Sequence, residues 1–419
     1  MTTTHEPPLR GLLRSSLFRR WAAANLFARL PLTMNLLALV LVGEVVTGSL
    51  ATGATLAGIL TFTTGLLAQP RGRMLDRSDL RAGLRRDLLL SALVMTGFVV
   101  AVVLSTPVWV LGVLAAAHGA ASAAILGGFR ALLVPTVRAE EIEPANALDA
   151  VFVEVAFVAG PAVAGVAALV IGPVGVLLLQ VTFFLTAALL LRGLPTRLPV
   201  ANLKLAGPAP ARTRGAGSVY LLALGVGLSL GGWEATMPAH MTSFGVAAAS
   251  AGPLMALTAL GSGLAGLVAA NQRDPLRRGR LLAAVLLVLF AFVLLPSAVA
   301  PNLLLLGAAL FVVGFPIAPL NALGGLALQR TVAVPRQAEG FSLFPAMILI
   351  GAGAGQVLSG QLLHWMTSAA VIQSLALVPA TLGLVVLAAM ARRHMLGMPT
   401  GVGYPHDPLV ADPEAYTML

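Results

Sequence analysis

Apolar residues run along this chain in long unbroken blocks, not in the alternating pattern of half-buried strands or the spaced stripe of surface helices. Twelve blocks lie at 21–45, 50–70, 87–105, 107–137, 147–171, 173–194, 217–243, 246–270, 281–299, 301–328, 340–364 and 369–391. Each is close to the ~20 residues that a helix needs to cross a hydrocarbon layer. The pattern predicts an all-α integral membrane protein of about twelve transmembrane helices. One long polar break, 195–216, divides them six and six, and its prolines, glycines and basic residues read as a linker. The predicted organisation is a basic leader (1–20), a six-helix bundle (21–194), a cytoplasmic linker (195–216), a second six-helix bundle (217–391) and a polar tail (392–419). The tail is expected to be disordered. Residues 9–20 fit either a short interfacial helix or a solvated leader. No signal-peptide cleavage site follows the first block.

Composition agrees with this pattern. Of 419 residues, 58% are hydrophobic and only 10% charged, whereas a soluble domain carries charge on about a quarter of its residues. Cysteine is absent, which excludes disulfides and thiolate chemistry. Lys204 is the single lysine, a bias typical of a GC-rich bacterial genome. A net charge of +10 raises the question of nucleic acid, but its placement argues otherwise. Apart from Arg29 and Arg130, the 26 basic residues lie before the first block, at the end of or after the even-numbered blocks, or after the last. Arginines that alternate in step with hydropathy mark topology, placing both termini and the even loops in the cytoplasm of a bacterial cell. No nucleic-acid partner is therefore expected.

Shifting the chain by 195 residues lays Leu148 on Leu343, Gly160 on Gly355 and Gly165 on Gly360. That weak repeat suits two duplicated bundles with a site between them.

The loop after the second block contains Gly72, Asp76, Arg77 and Arg81. It resembles the signature Gly-x-x-x-Asp-(Arg/Lys)-x-Gly-(Arg/Lys)-(Arg/Lys) of the major facilitator superfamily (MFS). Asp79 stands where the second glycine belongs and Leu80 where a basic residue belongs; the second-half counterpart, 271–274, has decayed further. Arg29 and Pro31, Thr47-Gly48-Ser49, and Arg130 to Pro135 followed by Asn146 look like parts of actinobacterial drug-efflux members. Gly160, Pro161 and Gly165 resemble the antiporter motif of helix 5, whereas Ala115 occupies the place of the arginine that many antiporters carry in helix 4. The resemblance implies two bundles rocking around a central cavity lined by helices 1, 4, 7 and 10. It also implies a cytoplasmic gate at Gly72, Asp76 and Arg77, in which Gly72 admits a close neighbour and Asp76 caps a helix and pairs with arginines.

Ionisable groups inside a bilayer each need a reason. Arg29, Arg130, Asp149 and Glu154 fall in the same part of the first bundle, so they are expected to neutralise one another as a gating or a static network. Glu234, in the seventh block beside Gly231, Gly232 and Trp233, has no basic residue nearby, which suits a proton or cation site in the cavity or an interfacial glutamate. Glu44 fits substrate contact or a hydrated interface, and His118 a titrating or a packed residue. Asn321 and Gln356 can bind substrate or join helices. His240, His364 and His394 fall near block ends.

Gly351 and Gly355 are expected to pack helices closely. Gly227, Ser229 and Gly231 match a serine-hydrolase elbow only by letter, inside an apolar span. No phosphate loop is present. No enzymatic activity, metal or cofactor is expected.

The expected function is secondary active transport: proton-coupled export of a hydrophobic or cationic small molecule, by a monomer in the lipid bilayer. The alternatives are an uptake permease or uniporter for a nutrient, and a non-transporting scaffold or sensor.

Overall fold

The computed structural model describes residues 8–196, 216–270, 279–332 and 336–395. Most of the linker, the loop at 271–274 and the tail beyond 395 lie outside them. Among the described residues the chain is helical and contains no strand. The helices are α1 (Pro8–Arg14), α2 (Ser16–Thr47), α3 (Leu50–Asp76), α4 (Leu80–Val103), α5 (Val108–Ser122), α6 (Ile125–Leu133) and α7 (Ile142–Leu190). After the linker come α8 (Ala216–Ser243), α9 (Ala251–Ala270), α10 (Gly279–Val299), α11 (Leu303–Gly314), α12 (Ile317–Thr331), α13 (Gln337–Leu362) and α14 (Ser368–Met395).

Eleven stretches are long and apolar enough to cross a membrane, and the longest, Ala139–Gly193, contains two crossings. Within α7, Gly172 takes φ 74° and ψ 166°, a conformation glycine reaches freely, and Pro173 follows it. Thr33 of α2 donates to the Ala156 carbonyl, while Gln180 binds Pro31 and Asn35 of that same helix. Residues on either side of Gly172 therefore meet α2 at one level, so the chain doubles back between them. Twelve crossings result, and the protein is a multi-pass membrane protein. Leu93, Val103, Val170, Leu267, Leu304 and Leu384 are all more than half exposed, an apolar outer surface suited to lipid.

Two crossings that the sequence presents as single blocks are broken. The fourth divides into α5 and α6 at Ala123 and Ala124, with no proline at the break. The tenth divides into α11 and α12 where Pro316 withholds the amide that would continue α11. At the N-terminus only Pro8–Arg14 forms a separate short helix, whose Leu12 is buried, and α2 already begins at Ser16.

The first six crossings pack chiefly on α2 and α7, and the last six around α8, α10 and α14. The halves meet along two seams, α3 against α13 and α7 against α9. In lipid, apolar surface gains nothing by hiding from other apolar surface, so helices associate where small residues let backbones approach. Gly58 and Gly65 of α3 face the backbone of α13, while Gly353 and Gly360 of α13 face Phe62, Thr55 and Ala51 of α3. On the second seam Gly165 meets Ala249, Gly252 and Pro253. A Cβ at any of these positions would collide with backbone or a Cβ-branched neighbour. At Gly72 it would meet nothing within 4 Å, so the close approach expected there is absent and the tight contacts lie further along α3.

Replacing Gly353 with leucine should therefore lower stability by about 1–3 kcal/mol through overpacking. Replacing Gly72 with alanine should raise it by roughly 0.5–1 kcal/mol through helix propensity. Thermal unfolding of the two variants in detergent checks the contrast.

Candidate functional site

Three polar clusters interrupt the apolar interior. The first joins α2, α6 and α7. Asp149 is 1% exposed, and its Oδ1 accepts from Arg29 Nη2 at 2.6 Å and Asn25 Nδ2 at 2.9 Å. Its Oδ2 accepts from Arg130 Nε at 3.3 Å. Asn25, one turn before Arg29, also accepts from Arg29 Nε at 2.8 Å. Asn25 is the member that sequence reasoning missed, because an amide inside a span carries no charge to draw attention. Glu154 is a correction, for it does not join this network. Five residues along a helix turn the side chain by about 140°, away from α2. Its Oε2 lies 3.8 Å from where a Cβ of Gly263 would stand, on the α9 seam with Pro161 and Gly165. Glu154 is exposed and has no ion-pair partner among the described residues.

One carboxylate thus holds two guanidiniums and leaves one positive charge in excess. The Arg29 side chain is 6% exposed and that of Arg130 66%. Arg29 is a fixed internal partner, while Arg130 holds the same carboxylate by its edge and turns most of its guanidinium outward.

The second cluster lies at the arginine-rich end of α3. Here too the expectation needs correction. Asp76 is the last residue of α3, exposed and without an ion pair among the described residues; it neither caps a helix nor pairs with arginines. Arg77 follows it as the exposed C-cap. The cap is Asp79, which accepts the Ala82 amide at 2.9 Å at the start of α4, and the Thr196 hydroxyl at 2.7 Å. That amide, then the hydroxyl, hold the Asp79 carboxyl below its ordinary value. The cap therefore contributes fully above the ordinary carboxylate pKa and is lost as the pH falls through the lowered one. The pairing arginine is Arg71, 2.7 Å from Asp87 of α4, which also takes Arg86 at 3.2 Å. Across the seam Arg73 reaches Glu339 of α13 at 2.8 Å, and Arg336 holds the other oxygen at 2.9 Å.

The third cluster lies in the second half. On α8, Gly227 and Gly231 press on α13, Ser229 donates to Leu375 of α14, and Trp233 donates to Ser297 of α10 at 3.1 Å. Glu234 follows Trp233 on α8, a helix that touches α2 and α3 of the first half as well as α12, α13 and α14. It is partly exposed, with no hydrogen bond or ion pair among the described residues. Gln356 of α13 lies within about a turn of its level, since the neighbouring Gly355 packs on Leu228 and Gly232. Gln356 is buried, and its Oε1 has no partner.

The remaining candidates separate. Glu44 is exposed one turn before the C-cap Gly48 of α2. His118 is fully buried edge-on to Phe184, with both ring nitrogens short of a well-formed hydrogen bond. Asn321 is exposed on α12. In the helix 5 motif Gly160 lies against Thr33 of α2 while the Pro161 carbonyl and Gly165 meet α9. The motif thus packs α7 between the two halves.

No protein-family model matches the sequence, and no curated protein matches it. Solved structures do. The nucleoside transporter NupG superposes with a TM-score of 0.70 at 13% identity, over 89% of this chain and 99% of NupG. A peptide transporter POT in complex with alafosfalin gives 0.69 at 14%, over 91% and 95% of the two chains. A bacterial homologue of the human lysosomal transporter Spinster gives 0.64 at 14%, over 90% and 96%. The chain has the major facilitator fold. Of the candidates, Glu154 lies beside Gly263 on the α7–α9 seam, and Gln356 belongs to α13, which packs on α3.

Changing Asp149 to asparagine leaves Arg29 buried without its counter-charge and should cost about 3–5 kcal/mol. Glu154→Gln should leave the unfolding midpoint unchanged. Thermal unfolding of both variants measures the difference.

Proposed function

We propose that this chain is a secondary active transporter of the bacterial cytoplasmic membrane. It exports a hydrophobic or cationic small molecule by alternating access, in exchange for protons. The basic end faces the cytoplasm with both termini. Bundles 21–194 and 217–391 rock about the seams as a monomer, joined by the linker 195–216 and flanked by the leader 1–20 and the tail 392–419. The cytoplasmic gate, expected at Gly72, Asp76 and Arg77, rests in this reading on Arg73 and Glu339 across the seam, with Arg336 beside them.

The observation that carries this reading is Glu234, a partly exposed carboxylate on α8, a helix that touches both bundles, with no basic partner among the described residues. An ionised carboxylate bordered by hydrocarbon needs a counter-charge. A proton or a cationic substrate can supply it, and each excludes the other. That competition is what exchange requires. Gln356 offers an unpaired acceptor at the same level, and Glu154 a second unpaired acid on the facing bundle.

A second reading, transport of a nutrient without proton exchange, is favoured by one feature: the outward-turned guanidinium of Arg130 suits an anionic group. Structures of similar fold include a nucleoside and a peptide transporter.

In inverted membrane vesicles under an imposed pH gradient, the wild type should concentrate a cationic dye and an uncoupler should abolish this. Glu234→Gln should reduce accumulation at least about tenfold, the effect of losing roughly 1.4 kcal/mol of differential binding. Accumulation equal to wild type would remove Glu234 from the mechanism.

The gate is checked separately. Gln69 Nε2 lies 3.5 Å from Ser342 Oγ across the seam, and the chain has no native cysteine. A Gln69→Cys, Ser342→Cys pair should join through a short bifunctional reagent. Transport should stop when the pair is joined and return when a cleavable reagent is cut. Undiminished transport in the joined protein would exclude opening at this seam.

A further inference from the structure

One helix face is both basic and bare. On α4, Leu84, Leu88, Ser91, Met95 and Phe98 point into the first bundle, all 1% exposed or less. Ala82, Arg85, Arg86, Leu89, Leu90 and Leu93 recur at helical spacing on the opposite side and line a hollow of about 370 Å³. No described element covers it. Leu93 is 67% exposed, and the stripe continues through Val100 and Val103, both at least half exposed. This face therefore passes within two turns from arginine to a surface that meets acyl chains.

The arginines are not consumed by the protein. Arg85 is half-buried, makes no hydrogen bond or ion pair among the described residues, and has a buried Nε without a partner. Arg86 reaches Asp87, but that carboxylate is also held by Arg71 at 2.7 Å. Two arginines share one charge there, and Arg85 adds a whole one. Asp79 at the start of the helix is engaged by the Ala82 amide and the Thr196 hydroxyl. The hollow thus carries unbalanced positive charge at one end and leucine at the other.

We propose that this hollow binds an anionic phospholipid, whose headgroup phosphate sits on Arg85 and Arg86 and whose acyl chain lies along Leu89 and Leu93. A phosphate diester accepts from a guanidinium fork. Basic pockets beside spanning helices attract anionic headgroups. The apolar half of the hollow distinguishes a lipid from a free anion, since inorganic phosphate gains nothing from three leucines. The site stands on the outer face of α4, away from Glu234 and both seams, so it does not rest on the direction or cargo of transport.

The test compares thermal unfolding of the purified full chain in neutral detergent with added phosphatidylglycerol or phosphatidylcholine of identical acyl chains. Phosphatidylglycerol should raise the midpoint by about 2–4 °C more than phosphatidylcholine does. Arg85→Gln should abolish that difference. Arg330→Gln, which removes an exposed arginine on α12, should keep it. Should Arg85→Gln fail to fold, Ala82→Glu sets an acid on the same exposed face and should abolish the preference equally. Equal stabilisation by the two lipids overturns the proposal, as does a preference that survives both α4 variants. Inorganic phosphate or glycerol phosphate reproducing the full shift also overturns it, because the site would then be an anion site and not a lipid site. A shift that appears only together with a change from monomer to dimer would assign the face to a second copy of the chain.

Discussion

Backbone-to-backbone contact between α3 and α13 is the interaction on which the rest of this molecule depends. In water two bundles of this size would be held by the apolar area they hide. In lipid that driving force disappears, and the halves hold only where their helices come closer than ordinary side chains allow. From Ala51 to Arg73 the seam runs about 33 Å at 1.5 Å per residue, the full depth of a hydrocarbon layer. Gly58 and Gly65 contribute from one side, Gly353 and Gly360 from the other. Neither helix is specified by its own hydrophobicity here; each is specified by where it lacks side chains.

Asp149 plays the corresponding part within the first bundle. A lone carboxylate in the interior would be costly, yet this one accepts from Arg29, Asn25 and Arg130. It ties α2 to α7 at the rotation that brings Arg29 to 2.6 Å from it. Gln180 adds a second lock on α2 from the returning arm of α7, binding Pro31 and Asn35. Both arms of the hairpin are thus tied to one helix by polar groups, which leaves the small-residue seams free of that duty.

Much of this was legible in the sequence, and what was not has physical causes. Twelve crossings follow from length and hydropathy alone, since each block must match the bilayer. Breaks inside a block do not. Pro316 signalled one, whereas Ala123 and Ala124 carry no mark of the other. Charges in the spans stand out in the sequence, but helical angle decides which of them meet. Asp149 and Glu154 are five residues apart and face different partners. Asn25 and Asp87 were overlooked for opposite reasons: one is uncharged, and the other lies at a block edge where acid is unremarkable. The loop after α3 misled because letters were matched to a signature. Asp79, a departure from that signature, is the cap, and Asp76, which fits it, is bare. Glycines were recognised as packing residues in α13, although only the fold shows that those at 353 and 360 meet the other bundle.

The two ends of the molecule are closed by different physics. At the end away from the arginines, Gly165 and Gly252 bring α7 and α9 into backbone contact, and opening there removes dispersion contacts that lipid replaces poorly. At the arginine-rich end Glu339 stands between Arg73 and Arg336, with the Arg73 side chain 60% exposed. The Arg73–Glu339 pair, exposed on its arginine side, contributes about 0–1 kcal/mol, a small addition to the glycine contacts between α3 and α13. A bound species need only interact somewhat differently with the two arrangements to move the balance between them. In the proposed rocking of the bundles the lock on Asp149 stays intact, because Arg29, Asn25 and Arg130 all lie with it in the first bundle.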